Sequence, residues 1–282
     1  VSRLVQLARL NGRVAALALR GQWVTPAVVA AGYDCVAPTY DSAWHRHLRP
    51  ATDDLLQRLP GALKGVILDL GSGTGYTARR LAQANPAASV VAVDVSAAML
   101  EHARQQAPAN LRFAVSDMLD FMRCQSAASA ALIVSTWALG YSHPARLFRE
   151  CSRVLSSGGR FAFIVNYADT LAPVFRAFQC CLVAFPSRVR LAAWPRFPRN
   201  WASLERQLRG SGFVVEWHEE GSRKITAPGG QLLPWLRQTG ILAGFDSMLD
   251  LSGPVAARFE TELARGRDDI YHHFAMAIAR KL

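Results

Sequence analysis

The sequence predicts an α/β fold built on a doubly wound, mostly parallel sheet. Three observations carry this expectation. Val66-Ile67-Leu68 opens a continuous apolar run, the pattern of a strand buried on both faces. That run turns on Gly71, Gly73 and Gly75 and passes directly into a helical pattern from Ala78 to Ala82. Further short apolar runs, Ser89 to Val93, Leu111 to Val115, Ala131 to Val134 and Arg160 to Val165, alternate with helical segments. At 282 residues and 51% hydrophobic content, the chain has enough material for one large core with additions.

The opening strand, glycine turn and helix form a ligand-holding device. Gly71 and Gly73 let the backbone approach a ligand with no Cβ in the way. The free N–H groups and dipole of the following helix start favour a negative group. A dinucleotide fingerprint needs a third glycine where this chain has Tyr76, and a phosphate loop needs Lys-Ser/Thr where it has Tyr76-Thr77. What stands here, Asp69-x-Gly71-x-Gly73-x-Gly75, resembles the first motif of the class I S-adenosylmethionine-dependent methyltransferases. The resemblance implies a Rossmann-like fold. Its sheet has seven strands, doubly wound and mostly parallel, with an antiparallel final hairpin. It also implies a helical cap over residues 1–60 and a core over 61–282, with helical lid insertions at about 170–204 and 221–268.

Taken in order, residues 1–33 contain no acid and carry Arg3, Arg9, Arg13 and Arg20. Leu4 to Leu19 has apolar residues at helical spacing, with Gly12 as a break point. The segment reads as a helix covering the cofactor site in preference to a targeting or membrane-surface helix. Tyr33-Asp34-x-x-Ala37-x-x-Tyr40-Asp41 resembles the tyrosine-rich segment that closes over the cofactor in many small-molecule methyltransferases, which implicates Tyr40. The second strand ends at Asp94, where a carboxylate can accept both hydroxyls of a ribose. In the resemblance Val95 and Met99 flank the adenosine. Asp117 receives the adenine amino group, and Met118 supplies the next backbone N–H. Asp117 also reads simply as a turn former.

After the fourth strand, Thr136-Trp137-Ala138-Leu139-Gly140-Tyr141-Ser142-His143-Pro144 stands where the family presents the transferable methyl. Thr136 falls on the cofactor side. The Asn/Asp-Pro-Pro-Tyr motif of adenine- and glutamine-directed enzymes is absent, and so is a cysteine at a cytosine-C5 nucleophile position. Trp137, Tyr141, Tyr167 and Trp194 are the residues expected to line the acceptor, and an aromatic face there would attract the sulfonium. His143 and Tyr141 are the candidate bases, and neither has a motif behind it. Gly158-Gly159 reads as the left-handed stop of the helix before strand five. His272-His273 reads as the start of a strand rather than a metal pair, because strand neighbours point to opposite faces.

Charge and cysteines bound the rest. The net charge of +11 suits acidic substrates, nucleic acid or an anionic membrane. Residues 170–204 hold five arginines, several aromatics and no acid, which suits a lid over an anionic or aromatic small molecule, a surface helix pair with no direct role, or a membrane or nucleic-acid contact. Five cysteines without a C-x-x-C pair argue against disulfides and a zinc site and for a reducing cytoplasm; no metal is expected. The resulting expectation is methyl transfer from S-adenosyl-L-methionine to a small-molecule, biosynthetic acceptor. The alternatives are cyclisation or elimination of the cofactor itself, and an RNA- or membrane-associated methyltransferase.

Overall fold

The computed structural model describes residues 2–193, 197–226, 232–243, 245–265 and 269–282. Seven strands form one sheet in the order β3-β2-β1-β4-β5-β7-β6. They are β1 (Gly65–Leu70), β2 (Ala88–Asp94), β3 (Leu111–Val115), β4 (Ala130–Thr136), β5 (Leu155–Asn166), β6 (Phe213–Ile225) and β7 (Ile270–Lys281). Pairing is parallel from β3 through β5, while β7 runs antiparallel to both β5 and β6. The strand order reverses between β1 and β4, so their carboxyl ends open a crevice suited to a ligand.

Apolar side chains cover both faces of this sheet. On one face Leu68, Leu70, Phe161 and Phe163 pack against Phe148 and Cys151 of α7 (Pro144–Val154) and Leu204 of α9 (Trp201–Arg209). On the other, Ile67, Val90, Leu132 and Ile164 meet Leu55 of α3 (Arg46–Gln57), Leu81 of α4 (Tyr76–Ala84) and Leu100 of α5 (Ala97–Arg104). A third core lies mostly beside the sheet, touching it at Ile225 of β6 and Ile270 of β7. It joins Leu17, Trp44 and Leu48 to Val174 and Phe178 of α8 (Ala172–Ala184), Trp235 and Leu236 of α10 (Leu232–Leu236), Leu249, and Phe259 of α12 (Gly253–Arg265). The N-terminal helices and the two insertions therefore form one apolar body.

Several details differ from the sequence expectation. α1 (Arg3–Leu19) passes through Gly12 unbroken. It buries Leu17 against the α8 core rather than covering the glycine turn. The second helix is long: α2 (Pro26–Tyr40) runs into a π-helical turn, Asp41–His45, and on into α3. Pro38 lies inside α2 and removes one N–H from the ladder, and the wider turn follows within one helical repeat. The helix before β5 ends at Val154, where Leu155 is already extended. Gly158 (φ 72°) instead serves a bulge, across which the β4–β5 register jumps from Leu155 to Arg160. β6 runs to Ile225, so the second insertion begins later than residue 221. Trp194, Arg196 and the loop at 227–230 lie outside the described residues.

Candidate functional site

The glycine turn is shaped by contacts that a side chain would break. Gly71 (φ 73°) donates its N–H to Val93 O at 2.8 Å, and a Cβ on it would come within 2.2 Å of Ala138 Cβ. The post-β4 segment is thus packed directly on the turn. Gly73 (φ 52°) faces open space, with no heavy atom within 4 Å of its virtual Cβ. Its N–H donates to Asp94 Oδ2 at 2.8 Å, while Ser96 N–H donates to Asp94 Oδ1 at 2.9 Å. Burial raises the Asp94 pKa, and these N–H donors offset part of that rise. Asp94, at the carboxyl end of β2, therefore borders the open side of the turn.

Asp69 sits at the centre, fully buried, with neither carboxylate oxygen in a hydrogen bond of ordinary geometry. Burial first, then the neighbouring Asp94 charge, pushes its carboxyl up to about 8; the Ala78 N–H at the start of α4 relieves this only in part. Such an acid calls for a cation. Met118 brings its methyl within 3.5 Å of the Gly71 virtual Cβ, which joins the post-β3 turn to the same crevice. Asp117 caps α6 (Met118–Arg123), its Oδ1 accepting from Leu119 N at 2.8 Å and Asp120 N at 3.2 Å. Met99 is buried in a small cluster with Val36, Ala37, Tyr33 and Tyr40. Val95 follows Asp94 in the turn into α5. Thr136 Oγ1 lies 3.0 Å from Thr77 Oγ1, linking the end of β4 to α4.

The N-terminal cap is fastened onto this crevice by side chains of the tyrosine-rich segment, Asp34 and Asp41 among them, and by Thr52 and Asp53 of α3. Ser96 Oγ donates to Asp34 Oδ1 at 2.5 Å, and Thr74 Oγ1 to Asp41 Oδ1 at 2.6 Å. Tyr76 donates to Asp53 Oδ1 at 2.6 Å, and Trp137 Nε1 to Thr52 Oγ1 at 3.0 Å. Tyr40 and Tyr141 each lie near Tyr33, with ring centroids 6.1 and 5.8 Å from it, and Tyr33 donates to Tyr141 at 2.8 Å. Burial raises all three phenols, so none is ionised near neutral pH. The helical spacing of Tyr33, Tyr40 and Asp41 was the available signal for this clamp. Asp34 lies in the same segment, whereas Asp53 carried no signal.

Beyond Trp137 lies an aromatic and histidine cluster at the carboxyl ends of β4 and β5 and the start of β7. Trp137 adopts a left-handed backbone (φ 68°) that a large side chain rarely takes. Its ring stacks on His272 at 4.8 Å, and His47 stacks on the other rings nearby, 5.5 Å from His272 and 4.9 Å from Trp44. His272 Nε2 lies 2.7 Å from Asn166 Oδ1. His272 Nδ1 and His47 Nε2 are buried without a hydrogen-bond partner. Burial, followed by the charges of His47, His273 and Arg223, lowers His272 to about 3; burial and Arg223 lower His47 as well. Both rings are neutral. Arg223 stands opposite His272 in the β6–β7 ladder and, among the described residues, has no carboxylate in ion-pair range. His273 points the other way, to Asp169 at 3.1 Å, as strand alternation requires. That alternation was legible; which of the two histidines would face inward was not.

Other expected residues fall elsewhere. Tyr167 is not with Trp137: one residue beyond Asn166, it packs in the opposite core and donates to Glu220 at 2.5 Å. His143 is half-buried at the start of α7. Trp194 is outside the described residues, but its neighbour in the lid, Phe197, lies over the post-β4 turn; a Cβ on Gly140 would come within 2.1 Å of its ring. Among the described residues no group of three or more His, Cys, Asp or Glu could hold a metal.

Comparison with known proteins agrees with this geometry. A family model described as a methyltransferase domain matches residues 67–159. The chain is 38% identical over 230 residues to a trans-aconitate 2-methyltransferase of Deinococcus radiodurans, covering 76% of this chain and 82% of that protein. It is 30% identical over 172 residues to a malonyl acyl-carrier-protein O-methyltransferase of Nitrosospira multiformis, covering 54% of this chain and 55% of that protein. The chain thus spans about half the length of the malonyl-directed relatives it matches. Among solved structures, the cyclase SpnF superposes with a TM-score of 0.58 at 20% identity, over 91% of this chain and 97% of that one, which is a likeness of fold. A glycine turn open at Gly73, bordered by the Asp94 carboxylate and backed by the unpaired acid Asp69, has the form of the family's first motif, and with a relative aligned along most of its length, the chain belongs to the class I S-adenosylmethionine-dependent methyltransferases.

Proposed function

We propose that the chain methylates a small carboxylic acid held between Trp137, His272 and Arg223. The observation that carries this reading is the pairing of a closed aromatic–histidine cluster with one cation, Arg223, that has no acid beside it among the described residues. The names of the relatives point the same way, since trans-aconitate and a malonyl group are both carboxylic acids. A net charge of +11 favours an anionic acceptor.

The cofactor, when bound, supplies a methyl already activated by a positive sulfur. The residues that fit its parts are Asp94 for the ribose hydroxyls, Asp69 for the cationic amino group, and Met99, Asp117 and Met118 around the adenine. A carboxylate acceptor is deprotonated at neutral pH and needs no base. This agrees with a site in which Tyr141 is engaged by Tyr33 and His272 is a neutral ring. The protein's contribution is then alignment and exclusion of water. Arg223 would hold the acid, Trp137 and Trp44 would wall it in, and the Tyr33–Tyr141 clasp would close above.

The test is methyl transfer from labelled S-adenosylmethionine to a panel of small di- and tricarboxylic acids beside matched alcohols and phenols. Label in base-labile esters of the acids supports the reading; transfer to phenols or alcohols alone removes it. Arg223→Gln should raise KM for the acid about tenfold or more, the scale of one charge-assisted hydrogen bond, with a smaller effect on kcat.

A further inference from the structure

We propose that α1, with Trp23 and the 184–192 segment against which it lies, is a docking surface for an anionic lipid bilayer. Nine large apolar side chains are exposed among the described residues, and five of them, Leu4, Val5, Val14, Leu19 and Trp23, fall within residues 4–23. At 100° per residue Leu4, Ala8, Gly12, Ala15 and Leu19 share one face of the helix, opposite the buried Leu17. All five are exposed, with Leu4 at 78% and Leu19 at 90%. The outward face of this surface helix therefore carries no charge and one polar side chain, the exposed Asn11 beside Leu4, the reverse of an ordinary surface helix.

Charge flanks that face. Arg9, Arg13 and Arg20 follow one side and Arg3 the other, and no acid occurs in residues 1–33. An open cleft lined by Gln6, Arg9, Arg13 and Ser187 runs along the same side. Arg13 is fixed there by donating to Val189 O at 2.9 Å, with the exposed Arg188 beside it. Val24 N–H donates to Ala192 O and Ala192 N–H to Gln22 O, which fastens Trp23 to the acid-free segment 170–204. An apolar strip that sinks among acyl chains, arginines at headgroup depth and a tryptophan at the margin make an interfacial helix. The occupant is a bilayer and not a second copy, because two such faces would set arginine against arginine with no acid to pair them. A nucleic acid would meet leucines where it needs cations. No described helix is long and apolar enough to cross a membrane, so the contact is with the surface.

The experiment is co-sedimentation of the full chain with vesicles of phosphatidylcholine alone and of equal phosphatidylcholine and phosphatidylglycerol. Binding to the anionic vesicles is expected, about tenfold or more above the neutral ones and falling with added salt. The double variant Leu4→Asp and Leu19→Asp should lose at least about tenfold, and Arg9→Glu should lose the preference for phosphatidylglycerol. Both positions in the double variant are exposed and far from the crevice, so S-adenosylhomocysteine affinity and the melting temperature should be unchanged. Three results would overturn the proposal. One is no binding above neutral vesicles; another is binding indifferent to the leucine variants but displaced by millimolar inorganic phosphate, which marks a free-anion site. The third is a concentration-dependent dimer that those variants dissolve.

Discussion

At the scale of single residues, Asp69 and Asp94 differ in their surroundings, and the roles proposed for them follow from that difference. Asp94 accepts two backbone N–H groups and faces the open side of the glycine turn. Asp94→Ala should weaken S-adenosylhomocysteine binding by about 100-fold in a titration calorimeter, the scale of two charge-assisted hydrogen bonds, with the fold retained. Asp69 has a different signature. Its carboxyl is pushed up to about 8, so the folded ligand-free chain keeps a proton that the unfolded chain releases near its ordinary value of 3.8. The unfolded state binds fewer protons across that window, and stability therefore falls as pH rises from about 4 to 8. The slope from this group is at most about 1.4 kcal/mol per pH unit. Asp69→Asn should flatten the pH dependence of urea unfolding, its advantage over the natural chain growing toward pH 8. Equal slopes for the two proteins would mean that Asp69 is already ionised. Both carboxyls were legible in the sequence as candidates, Asp69 two residues before Gly71 and Asp94 at the end of the second apolar run. The missing partner of Asp69 was hidden, since it depends on what packs around it.

At the scale of elements, the cap and the glycine turn are one device. Asp34, Asp41 and Asp53 on the N-terminal helices each take a hydroxyl from the core, which ties the cap to the turn. Loosening one fastening should speed ligand release more than it lowers stability. Asp34→Ala should raise the dissociation rate of S-adenosylhomocysteine by about tenfold in stopped-flow fluorescence, a charge-assisted bond being worth about 1.5–3 kcal/mol. An unchanged rate would mean that release does not pass through the cap. Packing at Gly71 admits less adjustment. Gly71→Ala would force a left-handed backbone and a 2.2 Å approach to Ala138, and should cost about 1–3 kcal/mol of stability besides binding. The strands and their turns were legible from apolar runs and glycine spacing. The cap was legible only as aromatic spacing at Tyr33 and Tyr40. The π-helical turn and the partners of Asp34, Asp41 and Asp53 were not, because helical periodicity carries no record of which partner a polar side chain will find. Tyr167 was misread for a related reason: one step along β5 changes the face, and its register was set by the bulge at Gly158.

At the scale of the whole molecule, three apolar cores explain how one sheet serves two ligands. Two cores hold the sheet rigid. The third, built from α1, the π-helical turn, α8 and the helices after β6, meets the sheet through residues such as Ile225 at the end of β6 and Ile270 at the start of β7. This third core was the least legible part, since its members come from segments more than 200 residues apart, and no local pattern announces that Leu17 and Phe259 share it. Where sheet and third core meet, His272, Trp137, Trp44 and His47 stack, and there the acid is proposed to bind. The central claim is that this meeting place holds an acid for methylation and does not act on the cofactor alone. It is tested most directly by incubating the purified chain with S-adenosylmethionine, with and without the carboxylic acid panel, and following S-adenosylhomocysteine. Product only when an acid is present, with label in a base-labile ester, is the predicted result. Consumption of the cofactor at the same rate without any acceptor would contradict it.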